Sequence, residues 1–315
     1  MAFEIPKTTY TGKIKEIKLG TGDKAVVVGG ESCYPFYLFE GEMPRLPRIA
    51  MEVYDTPPQE WPEAALEPFA DVADDPAAWA KKCVDNYGAE MVCLQLVSTD
   101  PNGLDRGADE ATEVVKKVAD AVDVPLIVWG TANNDKDVEV FRKVTEVCHG
   151  KNLIIGPVEE GDHKQLGAAA IGYQHTVMSS TPIDINLAKQ LNILLGNLGV
   201  PDEFIVMDLT VSGIGYGIEY AYSVMERMRM AALTQQDDKL QFPIVCNIAR
   251  ECWKTREVKI PEKEDPKMGD AKKRGILLEA MSAMCLLLAG GDVLVMRHPE
   301  AIKLIKDMLS ELTAA

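Results

Sequence analysis

Glu90-Met-Val-Cys-Leu-Gln-Leu-Val-Ser-Thr-Asp-Pro-Asn-Gly103 decides the fold of this chain. Residues 91–97 form an apolar run, too short for a stable helix and rich in β-forming side chains around Cys93. The run ends in the Ser, Thr, Asp, Pro, Asn and Gly of 98–103, a chemistry that favours turns. Residues 109–122 then place Val114, Val115, Val118, Ala121 and Val122 on one stripe, the spacing of an amphipathic helix. Val124-Pro-Leu-Ile-Val-Trp129 is a second buried strand, closed by the polar turn 130–135. Strand, polar loop, helix, strand is the unit that repeats to the C-terminus.

Reading outward, Arg48-Ile-Ala-Met-Glu-Val-Tyr-Asp55 opens the series, followed by a helix over 75–87 with Asp75 as its cap and Pro76 just inside. Further strands are expected at 152–157, 175–179, 203–208, 242–247 and 292–297, with helices over 136–149, 163–172, 184–198, 217–232, 272–288 and 299–312. Eight β/α units in about 250 residues match a closed (β/α)8 TIM barrel; a doubly wound open sheet is the alternative. Residues 1–47 read differently. The alternating segment 12–19, the turn 20–23 and the strand 24–28 form an N-terminal β-hairpin extension, and Pro44 and Pro47 mark a linker to the barrel of 48–315.

With 315 residues, 47% of them hydrophobic, the chain can bury a large core. A net charge of −16 argues against a nucleic-acid partner. The start shows no signal-peptide pattern and the longest near-apolar segment, 281–290, is too short to span a bilayer, so no membrane association and a cytoplasmic location are expected. Seven cysteines at irregular spacings, with no Cys-x-x-Cys, give neither a zinc nor an iron–sulfur signature.

Active faces of such barrels lie at the strand C-termini. Those ends carry Asp55; Ser98, Thr99, Asp100 and Asn102; Thr131, Asn133 and Asn134; Glu159 and Glu160; Ser179 and Ser180; Asp208 and Thr210; Asn247 and Arg250; Arg297 and His298. Hydroxyls and amides in that number suit hydrogen bonding to a polar organic ligand, although the same residues also collect there as turn formers and helix caps. No strand carries a lysine, so a Schiff-base aldolase has no nucleophile. No two histidines stand at metal-ligand spacing and no Gly-x-Ser-x-Gly elbow occurs, so neither a catalytic residue nor a metal ligand is assigned. The glycine-rich 211–219 segment, with Gly213 and Gly215, reads as a tight turn with close backbone packing. The charged stretch 251–270, with Trp253, is expected to be a long loop, either a docking surface or a solvated excursion.

The wording of residues 48–55, 79–91 and 96–103 resembles the small subunit of the corrinoid iron–sulfur protein, the delta-subunit family of acetyl-CoA decarbonylase/synthase, over essentially the whole chain. The resemblance implies a non-catalytic subunit of a heterodimer in the reductive acetyl-CoA (Wood–Ljungdahl) pathway. Its large-subunit partner would carry the corrinoid (cobalamin-type) domain and the [4Fe–4S] cluster, with no cluster in this chain. Cobalt would take a methyl group from methyltetrahydrofolate through a methyltetrahydrofolate:corrinoid methyltransferase and pass it to acetyl-CoA synthase, while the barrel mouth covers the corrinoid. Asp162-His163-Lys-Gln-Leu-Gly167 has the wrong spacing for a cobalt-ligating Asp-x-His-x-x-Gly, so no cobalt ligand is assigned. Ser98, Thr99, Asp100, Asn102, Thr131, Asn133, Ser179, Thr210, Gly213, Gly215, Asn247 and Arg250, taken from the strand ends, are the candidate cofactor-facing residues. The alternative is a free-standing pterin-dependent methyltransferase barrel, with Asp100, Asn102 and Asn133 on the pterin and Asp208 nearby.

Overall fold

The computed structural model describes residues 4–314. A short antiparallel hairpin, β1 (Ile17–Leu19) and β2 (Val26–Val28), precedes eight barrel strands. These are β3 (Arg48–Tyr54), β4 (Met91–Gln95), β5 (Leu126–Trp129), β6 (Ile154–Val158), β7 (Thr176–Ser180), β8 (Ile205–Asp208), β9 (Ile244–Asn247) and β10 (Val293–Met296). Each pairs in parallel with its neighbour in sequence, and β10 returns to β3 with Val293 opposite Arg48 and Met296 opposite Met51. That last pairing closes the barrel and removes the open sheet as an alternative.

The strands read as unbroken apolar runs because both of their faces are covered, as parallel strands require. Alternation along each strand sorts the side chains into two cores. Ala50, Met91, Cys93, Ile127, Met178, Val206, Val245 and Val293 fill the barrel axis. Ile49, Val53, Val92, Val128, Val177, Met207 and Leu294 face outward, beneath the helices. The helical layer comprises α1 (Glu63–Leu66), α2 (Pro76–Tyr87), α3 (Ala108–Ala121), α4 (Asn134–Val147), α5 (His163–Tyr173), α6 (Ile185–Leu198), α7 (Ile218–Thr234), α8 (Ile248–Trp253), α9 (Arg256–Lys259), α10 (Ala271–Leu288) and α11 (Pro299–Thr313). Asp75 caps α2 by accepting from the amides of Ala77 and Ala78, and Asp184 does the same for α6 through Asn186 and Leu187.

The hairpin plugs the end of the barrel at the strand N-termini. Ile17, Leu19 and Val28 are buried in the same core as Met91, Ile127, Ile154 and Val293. Asn152, on the loop entering β6, donates to the carbonyls of Lys18 and Gly20 and pins the hairpin from outside. Its regular strands are shorter than the sequence suggests: residues 12–16 also bond to the barrel, although Ile14 still exchanges backbone hydrogen bonds with Gly30 and Glu31. Gly12 and Lys15 donate backbone N–H groups to Leu233 and Gln241. Gly29, at φ +83°, passes so close to the Lys15 carbonyl that a Cβ would lie 2.0 Å from its oxygen, so only glycine fits. Apolar side chains on this segment therefore belong to the barrel core.

The long seventh loop is a correction. Residues 251–270 hold the end of α8, all of α9 and a 3-10 turn over Pro266–Met268, and Trp253 is buried against Gly275 of α10. Within it Cys252, Trp253, Thr255 and Val258 are buried and fold it back, a pattern diluted by the surrounding charges.

Candidate functional site at the barrel mouth

With one end plugged, the strand C-termini form the open end. The inward positions, two residues apart along each strand, bring Glu52 and Tyr54 of β3, Gln95 of β4, Ser180 of β7, Asp208 of β8, Asn247 of β9 and Arg297 just past β10 to that end.

Arg297 organises one side. Its Nε donates to Glu52 Oε2 at 2.6 Å, its Nη2 to the Tyr54 hydroxyl at 3.4 Å, and its guanidinium lies 3.6 Å from the centroid of the Trp61 ring. Gln95 donates to the other Glu52 oxygen at 3.2 Å. Glu279 of α10 reaches the same region from behind, accepting from the backbone amides of Arg297 (2.5 Å) and His298 (3.1 Å) and from Trp253 Nε1 (2.9 Å). Burial pushes the Glu279 carboxyl up to about 7 against those three donors. His298 caps α11, its Nδ1 accepting from the Glu300 amide, and stacks on Trp253. Burial lowers its imidazole to about 4, which keeps it neutral.

The opposite side is polar and less committed. Ser180 Oγ donates to Asp208 Oδ2 at 2.6 Å and the Thr210 amide to Asp208 Oδ1 at 3.1 Å, while burial pushes Asp208 up to about 6. Thr210 adopts φ +52° and donates its hydroxyl to the Thr181 carbonyl. Asn247 stands at the cap position of α8 yet makes no capping bond, and its buried Oδ1 has no hydrogen-bond partner among the described residues. Beside the mouth lies a cleft of about 390 Å³ whose walls include Tyr54, Pro57, Pro58, Trp61, Leu104, Arg250 and Arg297. Arg250 is exposed and forms no ion pair among the described residues.

Several candidate residues are engaged by the scaffold, some buried and some on its exposed turns. Ser98 gives both its amide and its hydroxyl to Asp55, and Thr99 gives its hydroxyl to the Leu96 carbonyl; both are fully buried and lock the turn after β4. Ser179 shares the outward face of Val177 and Met207, beneath the helices. Thr131 is held by Asp137 through its amide and hydroxyl, and Asn133 caps α4 by accepting from Lys136. Asp100 accepts from the Asn102 amide in a local turn. Gly213 packs against Cys252, and the Ile214 amide donates to Ser282 Oγ; Gly215 stands clear at φ +82°. Asn247, Arg250 and Thr210 remain around the opening. Asp208 and Ser180, on strand ends but outside the candidate set, join them because their inward orientation follows only from the register.

The buried carboxyls give a pH signature. Asp162, Asp208 and Glu279 all have folded values raised above their unfolded ones, so the folded state binds more protons and stability rises as pH falls through about 7 to 5. His298 opposes this, because its lowered value means stability is lost as the unfolded imidazole takes up its proton below about 6.5. Glu31, pushed up to about 8 by burial, adds to the carboxyl side and His175, lowered by burial, to the other; the raised carboxyls outnumber the lowered imidazoles, and urea unfolding at pH 5.5 is expected to be harder than at pH 7.5. Asp208→Asn should shrink that difference, and an unchanged difference would show that Asp208 titrates normally.

In architecture the chain is a singly wound (β/α)8 barrel of the kind found in dihydropteroate synthases. Xanthomonas albilineans dihydropteroate synthase with 4-aminobenzoic acid superposes with a TM-score of 0.60 at 13% identity, covering 95% of this chain and 98% of that one. The Clostridium difficile enzyme gives 0.55 at 19% identity, covering 87% and 100%. At such identities the likeness is one of fold. Sequence is more specific: the model of the CO dehydrogenase/acetyl-CoA synthase delta subunit matches residues 16–312. The acetyl-CoA decarbonylase/synthase complex subunit delta of Archaeoglobus fulgidus is 39% identical over 98% of this chain and 71% of its own length. That of Methanopyrus kandleri is 38% identical over 92% and 71%. The chain belongs to the CO dehydrogenase/acetyl-CoA synthase delta-subunit family, as the resemblance in residues 48–55, 79–91 and 96–103 implied. Among the described residues no helix is long and apolar enough to cross a membrane.

Proposed function

We propose that this chain is a non-catalytic subunit of an acetyl-CoA decarbonylase/synthase complex, and that its barrel mouth covers a corrinoid held by a large-subunit partner. The observation that carries the reading is the asymmetry of the barrel: the hairpin fills one end, and the other opens on a polar surface whose strand ends carry no lysine. A corrinoid presents a broad apolar macrocycle edged with primary carboxamides. Pro57, Pro58, Trp61 and Leu104 offer an apolar rim for the ring, and Asn247 an uncommitted amide for its edge, so the residues present fit the group. When bound, the corrinoid supplies a cobalt able to carry a methyl group between methyltetrahydrofolate, through a methyltransferase, and acetyl-CoA synthase. The chain's own residues exclude water from the ring, orient its edge and shape docking. The iron–sulfur cluster belongs to the partner.

The reading is tested by anaerobic co-production with the large subunit and an absorbance spectrum of the purified assembly. A stable complex with corrinoid and iron–sulfur bands, and a colourless isolated chain, is the expected result. A colourless monomer that ignores the large subunit, or methyl transfer from methyltetrahydrofolate by this chain alone, would overturn it.

A further inference from the structure

Asn247 is a buried strand-end amide in the mouth whose Oδ1 no other described residue engages. It is 8% exposed, points along the inward face shared with Val245, and occupies a helix-cap position without capping. Asparagine at such a position ordinarily accepts from an amide in the first helical turn. A buried polar atom left without a partner costs free energy, so a ligand group that completes it gains a well-paired hydrogen bond there. Among the described residues its side chain makes no hydrogen bond, which leaves one acceptor and the amide donors free together.

We propose that Asn247 is the seat for a primary carboxamide on the corrinoid edge, an inference that rests on the corrinoid-covering reading above. An amide pairs with an amide through two antiparallel hydrogen bonds: the ligand N–H to Asn247 Oδ1, and Asn247 Nδ2–H to the ligand carbonyl. Asn247 Oδ1 supplies the selectivity because it can only accept: an amide gives it an N–H, whereas the corresponding carboxylate brings no donor and leaves it unpaired. The mouth therefore distinguishes an amide from the corresponding acid at one place on the ring.

The test uses the complete complex with the large subunit, loaded either with cobalamin or with its monocarboxylic acids, in each of which one edge amide has been hydrolysed. Corrinoid retained after gel filtration is read from absorbance. One of the acids should be retained about tenfold less well than cobalamin by the natural complex, the scale of one or two buried hydrogen bonds. Asn247→Leu should abolish that discrimination. Asn247→Asp, which keeps the shape and loses the donor, should weaken cobalamin retention about tenfold and serves where the leucine variant does not fold. Equal retention of all the acids, discrimination that survives Asn247→Leu, or cobalamin retention unchanged in Asn247→Asp overturns the seat while leaving the corrinoid-covering reading intact. A natural complex that holds no corrinoid overturns that reading and the seat with it. Binding of methyltetrahydrofolate to the isolated chain, lost in Asn247→Leu, would assign the amide to a pterin instead.

Discussion

Arg297→Met is expected to lower the stability of the chain by about 3–5 kcal/mol, the usual cost of leaving a buried charge without its partner. Glu52 is fully buried, and its ionic partner is the Arg297 guanidinium 2.6 Å away. Once Arg297 is gone, Gln95 alone remains to donate to that carboxylate. The loss should appear as a lower urea midpoint, and it is a large share of the roughly 5–15 kcal/mol that holds an ordinary domain together. The double variant Glu52→Gln/Arg297→Met should recover most of it, because a neutral pair in the same volume no longer strands a charge. If Arg297→Met costs less than about 1 kcal/mol, Glu52 is neutral or hydrated and the mouth is not built around an ion pair. The pair also flattens Trp61 under the guanidinium, so its loss should loosen the aromatic wall of the cleft.

Leu19→Ala should cost about 2–5 kcal/mol, and so should Ile17→Ala, as large-to-small changes in a close-packed core do. Both residues are buried in the axial core rather than on the surface of a separate arm. Because they stand two apart on one strand face, the double variant should fall short of the sum of the two singles. The barrel mouth lies at the opposite end, so partner binding at low temperature should survive either single change. A cost under about 0.5 kcal/mol, the value typical of surface positions, would show that the hairpin is an appendage and that the lower end of the barrel is open.

How far the sequence reveals this fold depends on where each strand's environment comes from. All eight strands are legible because parallel strands covered on both faces become continuous apolar runs such as Met91 to Gln95. Their starts are less legible. Phe242 and Val124 are apolar and look like strand, yet each precedes a proline, Pro243 and Pro125, which has no N–H to give the ladder, and the strand begins only beyond it, at Ile244 and Leu126. The mouth is legible only as a list of polar strand ends. Nothing local distinguishes Ser98, consumed by Asp55, from Asn247, left free, because the partner that consumes a hydroxyl comes from another strand. Glu52 and Arg297 are 245 residues apart, so the pair that braces the opening exists only after the barrel closes. Glu279, midway along a helix, gives no sign of the three donors it will meet.

The central claim, that the mouth and not the plugged end meets the corrinoid-bearing partner, is tested most directly by amide hydrogen exchange on this chain, alone and in complex with the corrinoid-loaded large subunit. Protection is expected in the loops at the strand C-termini, around Pro57 to Trp61, Gly103 and Leu104, Thr210 to Gly217 and Arg250 to Lys254, with little change at the hairpin turn around Gly22. Protection confined to the hairpin and the strand N-termini, with the mouth loops exchanging as they do in the isolated chain, would contradict it.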